Sequence, residues 1–172
     1  KIKAMIGGYD FKQSQFNRAT QAHRQIGSTF KPILYSLAMR AGIEMDSVFI
    51  DEPIEMQMPN GNIWRPMNWD NKFNGPMTLA RAISMSVNTI AIKLFMKISG
   101  AYVAPWSRQF GISRHLTEYP SAALGTAEAT VEENAAAFNV FANNGVYVKP
   151  YLVEWVKDEH GNKIFEASPQ SK

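Results

Sequence analysis

Ser28 and Lys31 stand three residues apart in Arg24-Gln25-Ile26-Gly27-Ser28-Thr29-Phe30-Lys31-Pro32, with glycine just before the serine and proline just after the lysine. A serine hydroxyl is a poor nucleophile at neutral pH until a neighbour takes its proton. A lysine can be that neighbour only where burial or nearby charge keeps it from being permanently protonated. Proline is tolerated in the first turn of a helix and not in its interior, so Pro32 predicts that a helix begins here. Positions 28 and 31 then share one helical face, within reach of each other. A helix start also offers free backbone N–H groups and the positive end of the dipole, both suited to a developing oxyanion. The competing explanation is an N-capping serine followed by a solvated lysine, and roughly one Ser-x-x-Lys arises by chance in a chain of this make-up.

A second polar cluster lies in Ser84-Met85-Ser86-Val87-Asn88-Thr89. Small polar residues between two apolar helical segments ordinarily mark a helix stop and an N-cap. Ser86 and Asn88, however, bracket a single residue, so a turn can send both side chains into one cleft. The hydroxyl of Ser86 can relay a proton, and the amide of Asn88 offers a donor and an acceptor to a peptide bond. Ser-x-x-Lys followed by Ser-x-Asn is far rarer than either alone.

These residues need elements to hold them. After Pro32, residues 33–42 repeat apolar side chains at Leu34, Leu37, Ala38 and Ala41 and stop at Gly42, which predicts a buried helix. Thr78 is placed to cap a helix through Ile83, and a further helix is predicted from near Asn88 to Ser99-Gly100. A short helix is read over residues 103–110. Thr130 and Glu133 form a capping box for a helix that Asn144-Gly145 closes. Strands are predicted at residues 3–6, in a small hairpin around Pro59-Asn60-Gly61, and in a terminal hairpin whose arms are residues 151–156 and 163–165. Residues 66–76 read as a Pro/Asn/Gly-rich loop. The pattern is α+β, a helical middle with an incomplete antiparallel sheet.

Composition narrows the possibilities. The 172 residues are 45% hydrophobic and 19% charged, which suits one globular domain with a real core. The net charge of +3 is scattered among acids with no basic run, so nucleic-acid binding has no support. Cysteine is absent, which removes disulfides, Cys-based zinc sites and a thiol nucleophile. His23, His115 and His160 lie far apart without ligand spacing, so neither a metal nor another cofactor is expected. No apolar run has the length of a membrane span. Beginning with Lys-Ile-Lys, the chain reads as a piece of something longer.

The paired motifs, with the stretch from Phe16-Asn17-Arg18-Ala19-Thr20-Gln21-Ala22 to Pro32, resemble the transpeptidase domain of class A bifunctional penicillin-binding proteins. Phe73-Asn74-Gly75-Pro76, Thr78 to Ala82 and Ser86-Val87-Asn88 are similar to that family's second motif region. Leu124-Gly125-Thr126 and Phe141 to Pro150 are similar to the segment before its third. The resemblance implies a penicillin-binding protein/serine β-lactamase-like fold. It implies Ser28 as the acylated nucleophile, Lys31 as its base, Ser86 as the relay to the departing amine and Asn88 as a substrate-binding residue. The implied reaction is D,D-transpeptidation of peptidoglycan stem peptides ending in D-Ala-D-Ala, with β-lactam antibiotics as inhibitors. The implied setting is the outer face of a bacterial inner membrane, reached through an anchor and a glycosyltransferase domain outside this chain. One departure stands out, since no lysine is followed by Ser-Gly or Thr-Gly. Residues 1–172 are therefore expected to be a partial domain without the third-motif strand. Alternatives on the same scaffold are a D,D-carboxypeptidase, a serine β-lactamase, a β-lactam-sensing module that does not turn over, and a structural piece with a dead site.

Overall fold

A computed structural model describes residues 2–58 and 60–168 of the chain. In order, the chain passes through helix α1 (Arg18–Gln21), strand β1 (Arg24–Gln25) and a one-turn 3-10 helix at Gly27–Phe30 that runs directly into α2 (Lys31–Arg40). Strands β2 (Val48–Asp51), β3 (Met56–Gln57), β4 (Ile63–Trp64) and β5 (Gly75–Thr78) come next. Helices α3 (Leu79–Ser84), α4 (Asn88–Ile98) and α5 (Gly100–Gln109) precede a second 3-10 turn at Pro120–Leu124. The chain ends through β6 (Glu128–Ala129), α6 (Val131–Ala142) and the strands β7 (Trp155–Lys157) and β8 (Lys163–Glu166). Among the described residues the strands form four separate two-stranded sheets, β1 with β6, β2 with β5, β3 with β4 and β7 with β8. The α+β class is as the sequence predicts.

The chain divides into two compact units. One comprises Gln25–Ser107 and Arg114–Glu128 and holds every candidate catalytic residue. Its core is helical: α2 packs against α3 and α4, and α4 against the Pro120–Leu124 turn. Ile33, Leu34 and Ala38 of α2 and Ile90, Leu94 and Ala91 of α4 are fully buried, the three- and four-residue spacing of a buried helix face. Burying one such leucine or isoleucine contributes about 1.5–3 kcal/mol, so the body of α2 anchors its functional first turn. Pro32 lies in that first turn as predicted, while Ala41 is exposed just past the helix end. Gly42, at φ +83, closes the helix through Ile43 N–H to Ala38 O (3.0 Å) and Gly42 N–H to Met39 O (3.0 Å). The stretch read from sequence as loop, residues 66–76, ends in a strand, since Gly75–Thr78 pairs antiparallel with Val48–Asp51. Pro76 sits opposite Ile50, tolerated because this sheet has only two strands and hence only edges. The hairpin of β3 and β4 is present, and Gly61 in its turn has φ +83. Pro59, also assigned to that turn, lies outside the described residues.

The other unit comprises Lys1–Arg24, Arg108–Ser113 and Ala129–Lys172. Here α1 packs against α6. The capping box forms as predicted, with Glu133 N–H donating to Thr130 Oγ1 (3.1 Å) and Thr130 N–H to Glu133 Oε2 (2.9 Å). Two sequence expectations are corrected. Residues 3–6 lie in no strand, and no strand among the described residues pairs with them. They line instead a groove of about 680 Å³ with Ala19, Val131 and Leu152. The regular pairing of the terminal hairpin begins at Trp155, with one further bond from Ala167 N–H to Glu154 O (2.7 Å), and residues 151–154 are otherwise irregular. Its turn is held by Asp158, whose carboxylate accepts the N–H groups of His160 (2.9 Å) and Asn162 (2.8 Å).

Candidate active site

The serine turn is built by two glycines. Ile26 N–H donates to Ala127 O and Gly27 N–H to Gly125 O, both at 3.0 Å, which lays the approach to Ser28 against the segment of residues 125–127. Gly27 then adopts φ +56, a left-handed turn that only glycine takes without cost, and swings the chain into the 3-10 helix. Gly125 has φ +77, and a Cβ there would collide with Gly27 O. Ser28 is exposed on the resulting turn, and its carbonyl accepts the Lys31 N–H. Thr29 Oγ1 ties the turn down by donating to Ile26 O (2.6 Å).

Lys31 is 2% exposed, yet it carries an amine. Its Nζ donates to Ser86 O (2.5 Å), Asn88 Oδ1 (2.7 Å) and Ser86 Oγ (3.0 Å). Those contacts match the three donors of an ammonium group. Burial, which penalises the charged form, lowers its pKa to about 8. The lysine thus points into the protein, toward the Ser86 and Asn88 side chains. Among the described hydrogen bonds none joins it directly to Ser28 Oγ, and the amine is turned toward Ser86.

Ser86 owes its orientation to an unusual backbone. Its N–H donates to Ile83 O (3.0 Å) and Val87 N–H to Ala82 O (2.9 Å), the closing pattern seen with Gly42 at the end of α2. The position normally filled by glycine is here a serine at φ +55. A side chain in this region costs about 1–2 kcal/mol, a strain that places the Ser86 carbonyl and hydroxyl on the lysine. Asn88 opens α4, and its amide is fixed at both ends, Oδ1 on Lys31 and Nδ2 on Met67 O (2.8 Å). One Asn88 N–H has no described protein acceptor.

Sequence reasoning missed the layer beneath. Asp51, Asn68 and Thr89 are buried and hydrogen-bonded to one another behind Asn88. The available signal was an aspartate closing an apolar strand and an asparagine two residues after a proline, both too common to single out.

Compared with known proteins, residues 1–172 match the family described as penicillin binding protein transpeptidase domain. The chain belongs to that family. Penicillin-binding protein 1A of Neisseria lactamica is 40% identical over 173 residues, covering 98% of this chain and 21% of that relative. Penicillin-binding protein 1A of Escherichia coli K12 is 36% identical over 171 residues, covering 98% and 20%. The crystal structure of penicillin-binding protein 1A from Haemophilus influenzae superposes with a TM-score of 0.88 at 36% identity, covering 96% of this chain and 25% of that one. The chain spans about a fifth of the length of the curated relatives it matches, at 21% for the first. The expected penicillin-binding fold is therefore present, and in this penicillin-binding transpeptidase domain Lys31, Ser86 and Asn88 form one hydrogen-bonded cluster next to the turn that carries Ser28.

Proposed function

We propose that the chain is the nucleophile-bearing part of a peptidoglycan D,D-transpeptidase. The carrying observation is a buried lysine with a pKa near 8, one turn from an exposed serine and hydrogen-bonded to a second serine and an asparagine. With its amine neutral, Lys31 accepts the Ser28 hydroxyl proton as Oγ bonds to the carbonyl carbon of the penultimate D-Ala. The oxyanion that forms is met by the backbone N–H of Ser28. Collapse breaks the C–N bond to the terminal D-Ala, whose nitrogen takes the proton from Lys31 through the Ser86 hydroxyl. An amine of a neighbouring stem then attacks the ester, forms the cross-link and returns the proton to Ser28. The free N–H of Asn88 holds the stem's amide. No cofactor takes part. A β-lactam follows the first half of this path, its strained amide opening onto Ser28 while the leaving nitrogen stays tethered.

The rest of the machinery belongs to the longer protein. The Lys-Thr-Gly or Lys-Ser-Gly strand, the remaining sheet, a glycosyltransferase domain and a membrane anchor at the outer face of the inner membrane lie in segments not among these residues. The roughly fivefold greater length of the relatives supports this assignment. The test is labelling of the full-length protein with fluorescent penicillin, followed by peptide mass spectrometry. An adduct on Ser28 that disappears in Ser28→Ala is the expected result; an adduct persisting in Ser28→Ala overturns the proposal.

A further inference from the structure

Behind the reactive cluster lies a buried carboxylate without a cationic partner. Asp51 is 1% exposed, and no described ion pair reaches it. Its Oδ1 accepts from Thr89 Oγ1 (2.5 Å) and Asn68 Nδ2 (2.8 Å), and its Oδ2 from Asn68 Nδ2 (3.1 Å) and from the N–H and Nδ2 of Asn74 (both 2.9 Å). Leaving a charge buried on neutral donors alone is costly, so the arrangement asks what it holds in place.

The answer follows the hydrogen bonds outward. Asn68 Oδ1 accepts the N–H of Asn88 (2.8 Å) and of Thr89 (3.4 Å), the first two residues of α4. The residue preceding them is Val87, which has no side-chain oxygen and makes no cap. Asn68 therefore caps α4 from a distant loop. Its amide can take only one orientation, because Nδ2 faces two acceptors, Asp51 and Lys72 O (2.8 Å), and a flip would set oxygen against both. Asp51 thus orients Asn68, Asn68 fixes the first turn of α4, and that turn carries the Asn88 amide whose Oδ1 meets Lys31 (2.7 Å).

We propose that Asp51 and Asn68 are positioning residues for acylation, acting through the N-terminus of α4 to hold Asn88 and thereby Lys31 in register with Ser28. This rests on the proposed role of Ser28 and Lys31. The network touches no substrate itself; its effect is on the geometry of the base, where a displacement of about 1 Å costs on the order of a hundredfold in rate.

The experiment uses the full-length protein and measures the acylation rate constant k2 and the preceding noncovalent Kd for a penicillin, with thermal melting alongside. Asn68→Ala removes the remote cap, and Thr89→Val removes one donor to Asp51 at nearly constant shape. In Asn68→Ala that remains folded at the assay temperature, k2 is expected to fall about a hundredfold, well beyond any weakening of Kd through Asn88; Thr89→Val is expected to lower k2 several-fold, again by more than Kd rises. A purely structural role would lower the melting temperature and leave k2 of the folded protein unchanged. Unchanged k2 in folded Asn68→Ala, or in Thr89→Val should Asn68→Ala not fold, overturns the inference while the adduct on Ser28 stands. Lack of a Ser28 adduct in the unsubstituted protein overturns the site reading on its own account and the inference with it.

Discussion

At the scale of single residues, the decisive quantity is the protonation of Lys31. With a pKa near 8, about a tenth of the molecules carry the neutral amine at pH 7. The second-order rate of Ser28 acylation in the free enzyme is therefore expected to rise close to tenfold per pH unit below about 8 and to level off above it; stopped-flow labelling across pH 6–9.5 checks this. The same shift has a stability sign. The unfolded chain holds the lysine proton up to about 10.5 while the folded chain releases it from about 8, so the unfolded state binds more protons in that window. The contribution of Lys31 to stability is accordingly least favourable below pH 8 and improves as pH rises from 8 to 10.5. Denaturant melts at pH 7.5 and 9.5 are expected to show that gain in the parent and its loss in Lys31→Met. Ser86 offers a second test, since its φ of +55 sets function against conformation. Ser86→Gly is expected to be more stable than Ser86→Ala by about 1 kcal/mol, with acylation impaired in both because each lacks the hydroxyl proposed as the relay.

At the scale of elements, the serine turn depends on two glycines for different reasons. Gly27 needs its left-handed backbone but has open space where a side chain would go, with nothing within 4 Å of a Cβ. Gly125 needs both the conformation and the space, because its Cβ would collide with Gly27 O. Gly27→Ala is expected to cost about 1–2 kcal/mol. Gly125→Ala forces the backbone ahead of Ser28 to move, and is expected to cost about 3 kcal/mol or more and to abolish penicillin labelling. Chemical denaturation and labelling of the two variants side by side check the ranking. The two helix ends carry a related contrast. The same closing pattern is made with Gly42 after α2, where only backbone is needed, and with Ser86 after α3, where a hydroxyl must reach the lysine.

At the scale of the whole molecule, the described strands form only two-stranded sheets, and such pairs are marginal in water. In strands β7 and β8 every residue is exposed, including Trp155 at 52% and Phe165 at 50%. On the reading proposed above, the strands assigned to the longer protein would cover this hairpin and add an oxyanion donor to the Ser28 N–H. Removing one such donor typically costs about a hundred- to a thousandfold in rate. The chain of residues 1–172 alone is thus expected to label with penicillin at least a hundredfold more slowly than the complete domain, and its amides at 155–166 to exchange much faster. Equal labelling rates, measured by intact-mass spectrometry, would show that these residues suffice.

What was legible in the sequence was whatever is decided within a few residues. Pro32 set the start of α2 and Gly42 its stop, Thr130 and Glu133 capped α6, and Ser28 stood one turn from Lys31, because capping, proline geometry and helical spacing act over three or four positions. The resemblance to the family rested on two such motifs occurring together, and the family model matches the whole chain. Tertiary structure alone decided where the amine points, since Lys31 finds its partners 55 and 57 residues away. It decided that Gly75–Thr78 is a strand, by pairing it with Val48–Asp51, and it sets no partner strand beside residues 3–6 among the described residues. It decided that α4 is capped by Asn68 when its own preceding residue is a valine. A strand's or a buried polar group's hydrogen bonds are satisfied by whatever the topology brings alongside, and no local pattern records which distant donor or acceptor that will be.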